Sequence, residues 1–288
     1  MKGHGLCILG TERGAGVTTV AEGIAAALVR RGLSVGVMKP VAVGCPLSAD
    51  LEGTVELAGL PGEHDAQTLA SLSRLAELAG PAPAALTGPT PSRALQAVEA
   101  RRLMAAAGLD AGAASIDQVN PYRFAPDIEP AAAARAADQA IDPELLSTHL
   151  ASLMQQHDVV LVDGGAGLMV PLNDHTLMVD VLQRWEMAVL LVAPSRPWAA
   201  INSTLLSAEL LRSRGVPLSG VVLDRLRSEL QPEEAVNSYQ LEQHKVVVRG
   251  LVPWLEPAQR EDLDHLARRV VVHLDLDGIL QTIGLPHQ

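Results

Sequence analysis

The segment GTERGAGVTT, Gly10 to Thr19, sets three glycines and a closing pair of hydroxyls between an apolar run and a helical repeat. Where a strand feeds a helix, unpaired backbone N–H groups and the positive helix end face one point, and that point binds anions. A phosphate loop of the form G-x-x-x-x-G-K-[ST] adds a lysine on the β/γ-phosphates and a hydroxyl on Mg²⁺. Here Gly10, or Thr11 by strict spacing, opens the loop and Gly16 closes it. Val17 stands in place of the lysine and Thr18 retains the hydroxyl. The segment is thus an anion cradle without its side-chain cation, or else a glycine turn that only packs helix on strand.

Two further polar residues follow apolar strands. Lys39 opens KPVAVG after Val35 to Met38, and Asp163 follows VVLV in VVLVDGGAG. In parallel βαβ units both emerge at the carboxyl edge of the sheet, beside the glycine loop. A cation there serves a phosphate or carboxylate, and a carboxylate there holds Mg²⁺ directly or through water. Arg13 in the loop and His175 downstream are further candidate ligand contacts.

The elements that must carry these residues alternate. Leu6 to Leu9 reads as a strand, and Val20, Ile24 and Leu28 repeat at helical spacing. Further strands are predicted at Val159 to Val162, Ala188 to Val192, Gly220 to Leu223 and Val246 to Leu251. Helical patterns between them supply the crossovers that parallel strands require. The expected fold is doubly wound α/β, a mainly parallel sheet of the phosphate-loop NTPase type with helices on both faces.

One domain is expected over residues 1–288, with an insertion at about 46–91 rich in Gly, Pro and Ala. HDAQTLASLSRLAELAG and AVEARRLMAAAGL resemble one another, as a duplicated helix or through alanine content alone. RVVVHLDLDGILQTI near the carboxyl end reads as a short strand or turn and then a helix.

With 22 Lys+Arg against 33 Asp+Glu the formal charge is −11, which argues against nucleic acid and anionic membrane as partners. Cys7 and Cys45 offer no disulfide framework, no run approaches a bilayer span, and LCIL is too short for a signal core. A cytoplasmic protein is expected.

KPVAVG, NPYRFAPDIEP, VVLVDGGAGLMVPLNDHTLMVDV, AAINSTLLSAELLRSRGVPLSGVVLD and GLVPWLEP occur in this order. Together they resemble the dethiobiotin synthetase family. The resemblance implies an ATP- and Mg²⁺-dependent enzyme that closes a ureido ring from 7,8-diaminopelargonate and CO₂, working as a homodimer with the diamine near the subunit interface. It places the nucleotide, ATP or another nucleoside triphosphate, on Gly10, Thr11, Glu12, Arg13, Gly14, Ala15, Gly16, Val17 and Thr18, with Asp224 and Pro253. Thr18 matches the family's metal-binding threonine and Lys39 its second active-site lysine; these two are the implied catalytic residues. Asp163 falls where the family has a metal-binding glutamate, and the remaining metal carboxylate is Glu99 or, alternatively, Asp65. Lys39, Val43, Gly165, Ala166, Asn202 and Tyr239 fall at or near substrate positions.

The departures gather on the nucleotide. Besides Val17, Arg13 and Gly14 replace a Thr-Glu pair, Val43 replaces a small polar residue, and Asp224 stands where an asparagine reads adenine. An ionised Asp only accepts hydrogen bonds, whereas Asn also donates. Two functions remain open: the ring-closing enzyme with its phosphate charge supplied otherwise, and a catalytically impaired or nucleotide-altered paralogue that binds a ligand or partner.

Overall fold

Apolar residues that run without alternation along a strand require cover on both faces, and four strands here have that character. The computed structural model describes residues 3–46, 95–109, 116–196, 199–225, 227–228 and 234–285. Its strands are β1 (His4–Gly10), β2 (Val35–Met38), β3 (Val41–Ala42), β4 (Tyr122–Arg123), β5 (Val159–Asp163), β6 (Ala188–Pro194), β7 (Leu218–Asp224) and β8 (Val248–Val252). Among the described residues the helices are α1 (Val17–Arg30), α2 (Val98–Ala106), α3 (Ile116–Val119), α4 (Pro130–Ala136), α5 (Pro143–Gln156), α6 (Met178–Trp185), α7 (Ala199–Ser213), α8 (Glu234–Gln243), α9 (Pro257–Glu261), α10 (Leu263–His273) and α11 (Leu276–Thr282).

Six strands form one parallel sheet in the order β2-β5-β1-β6-β7-β8. Successive side chains alternate between its faces. Leu6, Ile8, Leu161 and Leu190 enter a core with α1, α2, α10 and α11, while Cys7, Leu9, Val162 and Leu191 enter a second core with α5 and α6. The expected doubly wound sheet is therefore present. β1 lies between β5 and β6, with Ile8 opposite Asp163 and Gly10 opposite Val192, so the chain departs to both sides of it. That reversal opens a crevice at the carboxyl ends of the strands.

β3 and β4 form a separate parallel pair at that edge. Both cysteines are free and buried. No helix among the described residues is long and apolar enough to cross a membrane.

Two local expectations change. RVVVH belongs to helix α10, not to a strand. Its β-branched run is overridden by packing: Leu266, Ala267 and Val270 are buried against α1, and Val271 and Val272 stay exposed. β8 begins at Val248 rather than Val246, because the Val246 N–H closes the end of α8 on the Leu241 carbonyl at 3.0 Å. The predicted insertion, Pro46 apart, lies outside the described residues, as do HDAQTLASLSRLAELAG and Asp65.

Candidate active site

The glycine loop joins β1 to α1 as the sequence requires, and backbone hydrogen bonds hold its start. Gly10 N–H donates to the Gly165 carbonyl and Thr11 N–H to the Val192 carbonyl, both at 2.9 Å, which ties the loop to the ends of β5 and β6. Gly14 and Gly16 have φ of 74° and 93°, a region nearly closed to other residues. Gly16 is doubly constrained, since a Cβ there would sit 1.9 Å from Asp224 Oδ2. No side chain caps α1. Its first N–H groups, which have no partner within a helix, and its positive end are left for an anion.

Below the loop lies a polar cluster centred on Asp163, whose side chain is 1% exposed. Thr18 Oγ1 donates to Asp163 Oδ2 at 2.8 Å, Lys39 Nζ donates to the same oxygen at 2.9 Å, and Gly165 N–H donates to Oδ1 at 3.1 Å. Lys39 Nζ also pairs with Glu99 Oε2 at 2.8 Å. Burial favours the neutral amine, but the two carboxylates outweigh it and raise the Lys39 pKa above its ordinary value. Lys39 therefore stays cationic across the physiological range.

The Lys39 backbone is clamped by Val119 and by the Asn120 side chain at the start of NPYRF. Lys39 N–H donates to the Val119 carbonyl at 2.8 Å, and Asn120 Nδ2 donates to the Lys39 carbonyl at 2.7 Å. Phe124 N–H then donates to the Ala42 carbonyl at 2.8 Å, continuing the β3–β4 pairing. Asn120 and Arg123 are buried, so this motif is used within the chain to aim Lys39. Glu99 sits in the first turn of α2. One turn on, Arg102 grips Glu22 of α1 through two bonds of 3.0 and 2.8 Å, which docks α2 on α1.

A cavity of about 790 Å³ opens over the cluster. Glu12, Arg13, Gly14, Ala15, Gly16, Val17, Thr18, Lys39, Val43, Glu99, Asp163, Gly165 and Ala166 all line it. Among the predicted site residues, Gly10, Thr11, Asp224, Pro253, Asn202 and Tyr239 do not line it. Gly10 ends β1, and Thr11 Oγ1 is buried without a partner. Asn202 and Tyr239 are exposed on α7 and α8, and His175 is exposed in a turn outside the cavity. Asp224 is 0% exposed, behind Gly16, and neither carboxylate oxygen has a hydrogen-bond partner. Burial pushes its pKa up to about 7, with the Arg260 charge pulling the other way.

Some of these contacts were not read from sequence. Asp127 pairs with Arg13 at the cavity, half-exposed Arg102 pairs with buried Glu22, and Arg260 lines the cavity from α9. Glu22 carried a signal, a carboxylate within an otherwise apolar stretch of α1, Val20 to Leu28, that is buried all round. Asp127 carried none, because its partner Arg13 is 114 positions away, and Arg260 carried none, because the loop residues with which it lines the cavity are remote in sequence.

The cavity unites an anion cradle, a permanent buried cation and hard oxygen donors. Among the described residues no group of three His, Cys, Asp or Glu side chains could hold a metal ion. The Thr18 hydroxyl with Asp163 and Glu99 nevertheless fits Mg²⁺, which takes one or two carboxylates and completes its shell with water and phosphate. Such an ion would add positive charge at the phosphates. The loop backbone and α1 end fit a polyphosphate, although Val17 adds no charge to it.

The family described as AAA domain (AAA_26) matches residues 95–262. The ATP-dependent dethiobiotin synthetase BioD of Nitrosospira multiformis is 30% identical over 92% of this chain and 94% of its own. That of Chromohalobacter salexigens is 34% identical over 75% of this chain and 71% of its own. A solved ParA family ATPase of Chlorobium tepidum aligns over 98% of both chains at 15% identity and a TM-score of 0.49. By its match to the family profile and to these synthetases, the chain belongs to the dethiobiotin synthetase family of ATP-dependent ligases.

Proposed function

We propose that this chain, as one domain, catalyses ATP- and Mg²⁺-dependent ring closure of 7,8-diaminopelargonate with CO₂ in the cytoplasm. The observation that carries the reading is the Lys39 ammonium, buried between Asp163 and Glu99 at the foot of the glycine loop. Joining two amines through the carbon of CO₂ expels one oxygen, and ATP activates that oxygen for departure. Negative charge then develops on carboxyl and phosphoryl oxygens, where a fixed, desolvated ammonium stabilises it most. Asp163, itself held by Thr18, and Glu99 keep the ammonium in place, and Thr18 and Asp163 offer oxygen donors for Mg²⁺. The backbone of Gly14 to Thr18 orients the phosphates, and Gly165 with Ala166 borders the space left for the diamine.

A specific observation also favours the second reading, an impaired or nucleotide-altered paralogue. Val17 offers no charge, and Asp224 sits behind the loop instead of in the cavity. One variant separates the two. Val17→Lys adds a charge-assisted contact worth ~1.5–3 kcal/mol, about ten- to a hundredfold in Mg·ATP affinity. The wild type is expected to form dethiobiotin from diaminopelargonate, bicarbonate and ATP, and the variant to gain both affinity and rate. Gain in affinity alone, with neither protein forming dethiobiotin, supports the paralogue. Gain in neither removes the phosphate cradle from the account.

We also propose a homodimer through α7 and α8. Leu206 is 65% and Tyr239 59% exposed, Val236 is exposed too, and these helices pack on each other and carry Asn202. An apolar patch of this kind supports association of like subunits. Light scattering at micromolar concentration is expected to give twice the chain mass, and Leu206→Glu to give a monomer. A monomeric wild type would count against this assembly.

A further inference from the structure

Among the described residues, the cavity contains three basic side chains, Arg13, Lys39 and Arg260. Two are neutralised by carboxylates: Arg13 by Asp127, and Lys39 by Asp163 and Glu99. Arg260 has no carboxylate partner within ion-pair distance among the described residues. Its Nε donates to the Leu255 carbonyl at 3.2 Å, and its guanidinium carbon lies 5.5 Å from the Trp254 ring centroid. That arrangement fixes the plane of the guanidinium while leaving its terminal nitrogens for another acceptor. Its carbonyl accepts from Arg102 Nη2 at 2.9 Å, so the Arg260 backbone is tied to the Glu22–Arg102 pair and through it to α1. The charge is felt at Asp224, whose carboxylate touches Gly16 of the loop. A planar cation held at the wall of the cavity that a lysine-less loop also lines, with no ion-pair partner among the described residues, has the chemistry of a phosphate fork.

We propose that Arg260 binds the phosphates of the nucleotide and supplies from α9 the positive charge that Val17 does not. The proposal rests on the nucleotide reading above. An arginine replaces a lysine well at this task because it binds phosphate oxygens in pairs and keeps its charge when desolvated.

The experiment is titration calorimetry of the full chain with Mg·ATP, inorganic pyrophosphate and adenosine. Arg260→Ala is expected to weaken Mg·ATP and pyrophosphate at least tenfold and to leave adenosine unchanged. Arg260→Lys should retain part of the affinity, and Val17→Lys added to Arg260→Ala should restore most of it. Thermal melts of Arg260→Gln, which removes the charge but leaves an amide, check that lost binding is not lost folding. Equal weakening of ATP and adenosine would mean a contact to base or ribose and would overturn the assignment. Unchanged ATP affinity in Arg260→Ala with a binding wild type overturns it alone. A wild type that binds neither ATP nor pyrophosphate overturns the nucleotide reading, and this assignment with it.

Discussion

Lys39→Ala is expected to reduce dethiobiotin formation by about a thousandfold or more, since preorganised charge at the reacting oxygens is commonly the largest single contribution to such chemistry. Stability should fall as well. The substitution takes the cation from Asp163, 1% exposed, and leaves it only Thr18 and a backbone N–H as partners among the described residues. Breaking a buried pair by removing one partner costs about 3–5 kcal/mol. Folding and catalysis are separated by Lys39→Met combined with Asp163→Leu, which removes both charges together. Urea unfolding of the double variant should return most of the lost stability, while turnover stays at background. Intact turnover in a folded Lys39→Ala protein would remove the centre of the functional reading.

The other large effect concerns Asp224, a carboxylate at 0% exposure with both oxygens unpartnered. Its pKa is raised from 3.8 to about 7 by burial. The sign follows from proton counting: between these values the native state binds the proton that the unfolded chain releases, so stability falls as pH rises. The loss begins near pH 4, is complete a little above pH 7, and at 1.36 kcal/mol per unit amounts to about 4 kcal/mol at most. Asp224→Asn is expected to flatten this slope and to be the more stable protein at pH 8. It should also bind phosphate more tightly there, because it removes an anion lying against Gly16. Thermal melts of both proteins at pH 5.5, 7 and 8.5 check the first effect, and pyrophosphate titration at pH 8.5 the second. Identical slopes for the two proteins would mean that Asp224 is not the titrating group.

How far the sequence reaches can be seen in single residues. Thr18, Lys39 and Asp163 are far apart in the chain, yet each lies at or just past the carboxyl end of a strand of a parallel sheet or at the start of its first helix, and such sheets gather their carboxyl ends at one edge. Their convergence was therefore legible before any coordinates. The choice between Glu99 and Asp65 was not, because the predicted insertion broke the count from Lys39; Asp65 lies outside the described residues, and the 2.8 Å contact between Lys39 and Glu99 comes from the packing of α2 on α1. RVVVH misled because β-branched residues favour strands only when nothing else claims them, and here burial of Leu266 and Val270 decided for a helix.

The sequence by itself determined the sheet, the glycine loop, the missing loop lysine and the family, since each rests on local order and spacing. Only the tertiary structure decided which charges are already matched. Asp127 meets Arg13 and Asp163 meets Lys39 across 114 and 124 positions, and Asp224 meets no hydrogen-bond partner among the described residues. Electrostatic matching depends on distance and burial, which one-dimensional spacing does not encode once several elements intervene. For the same reason Arg260 looks in the sequence like any surface arginine, and only the fold brings it to the cavity that the loop lines, with no ion-pair partner among the described residues.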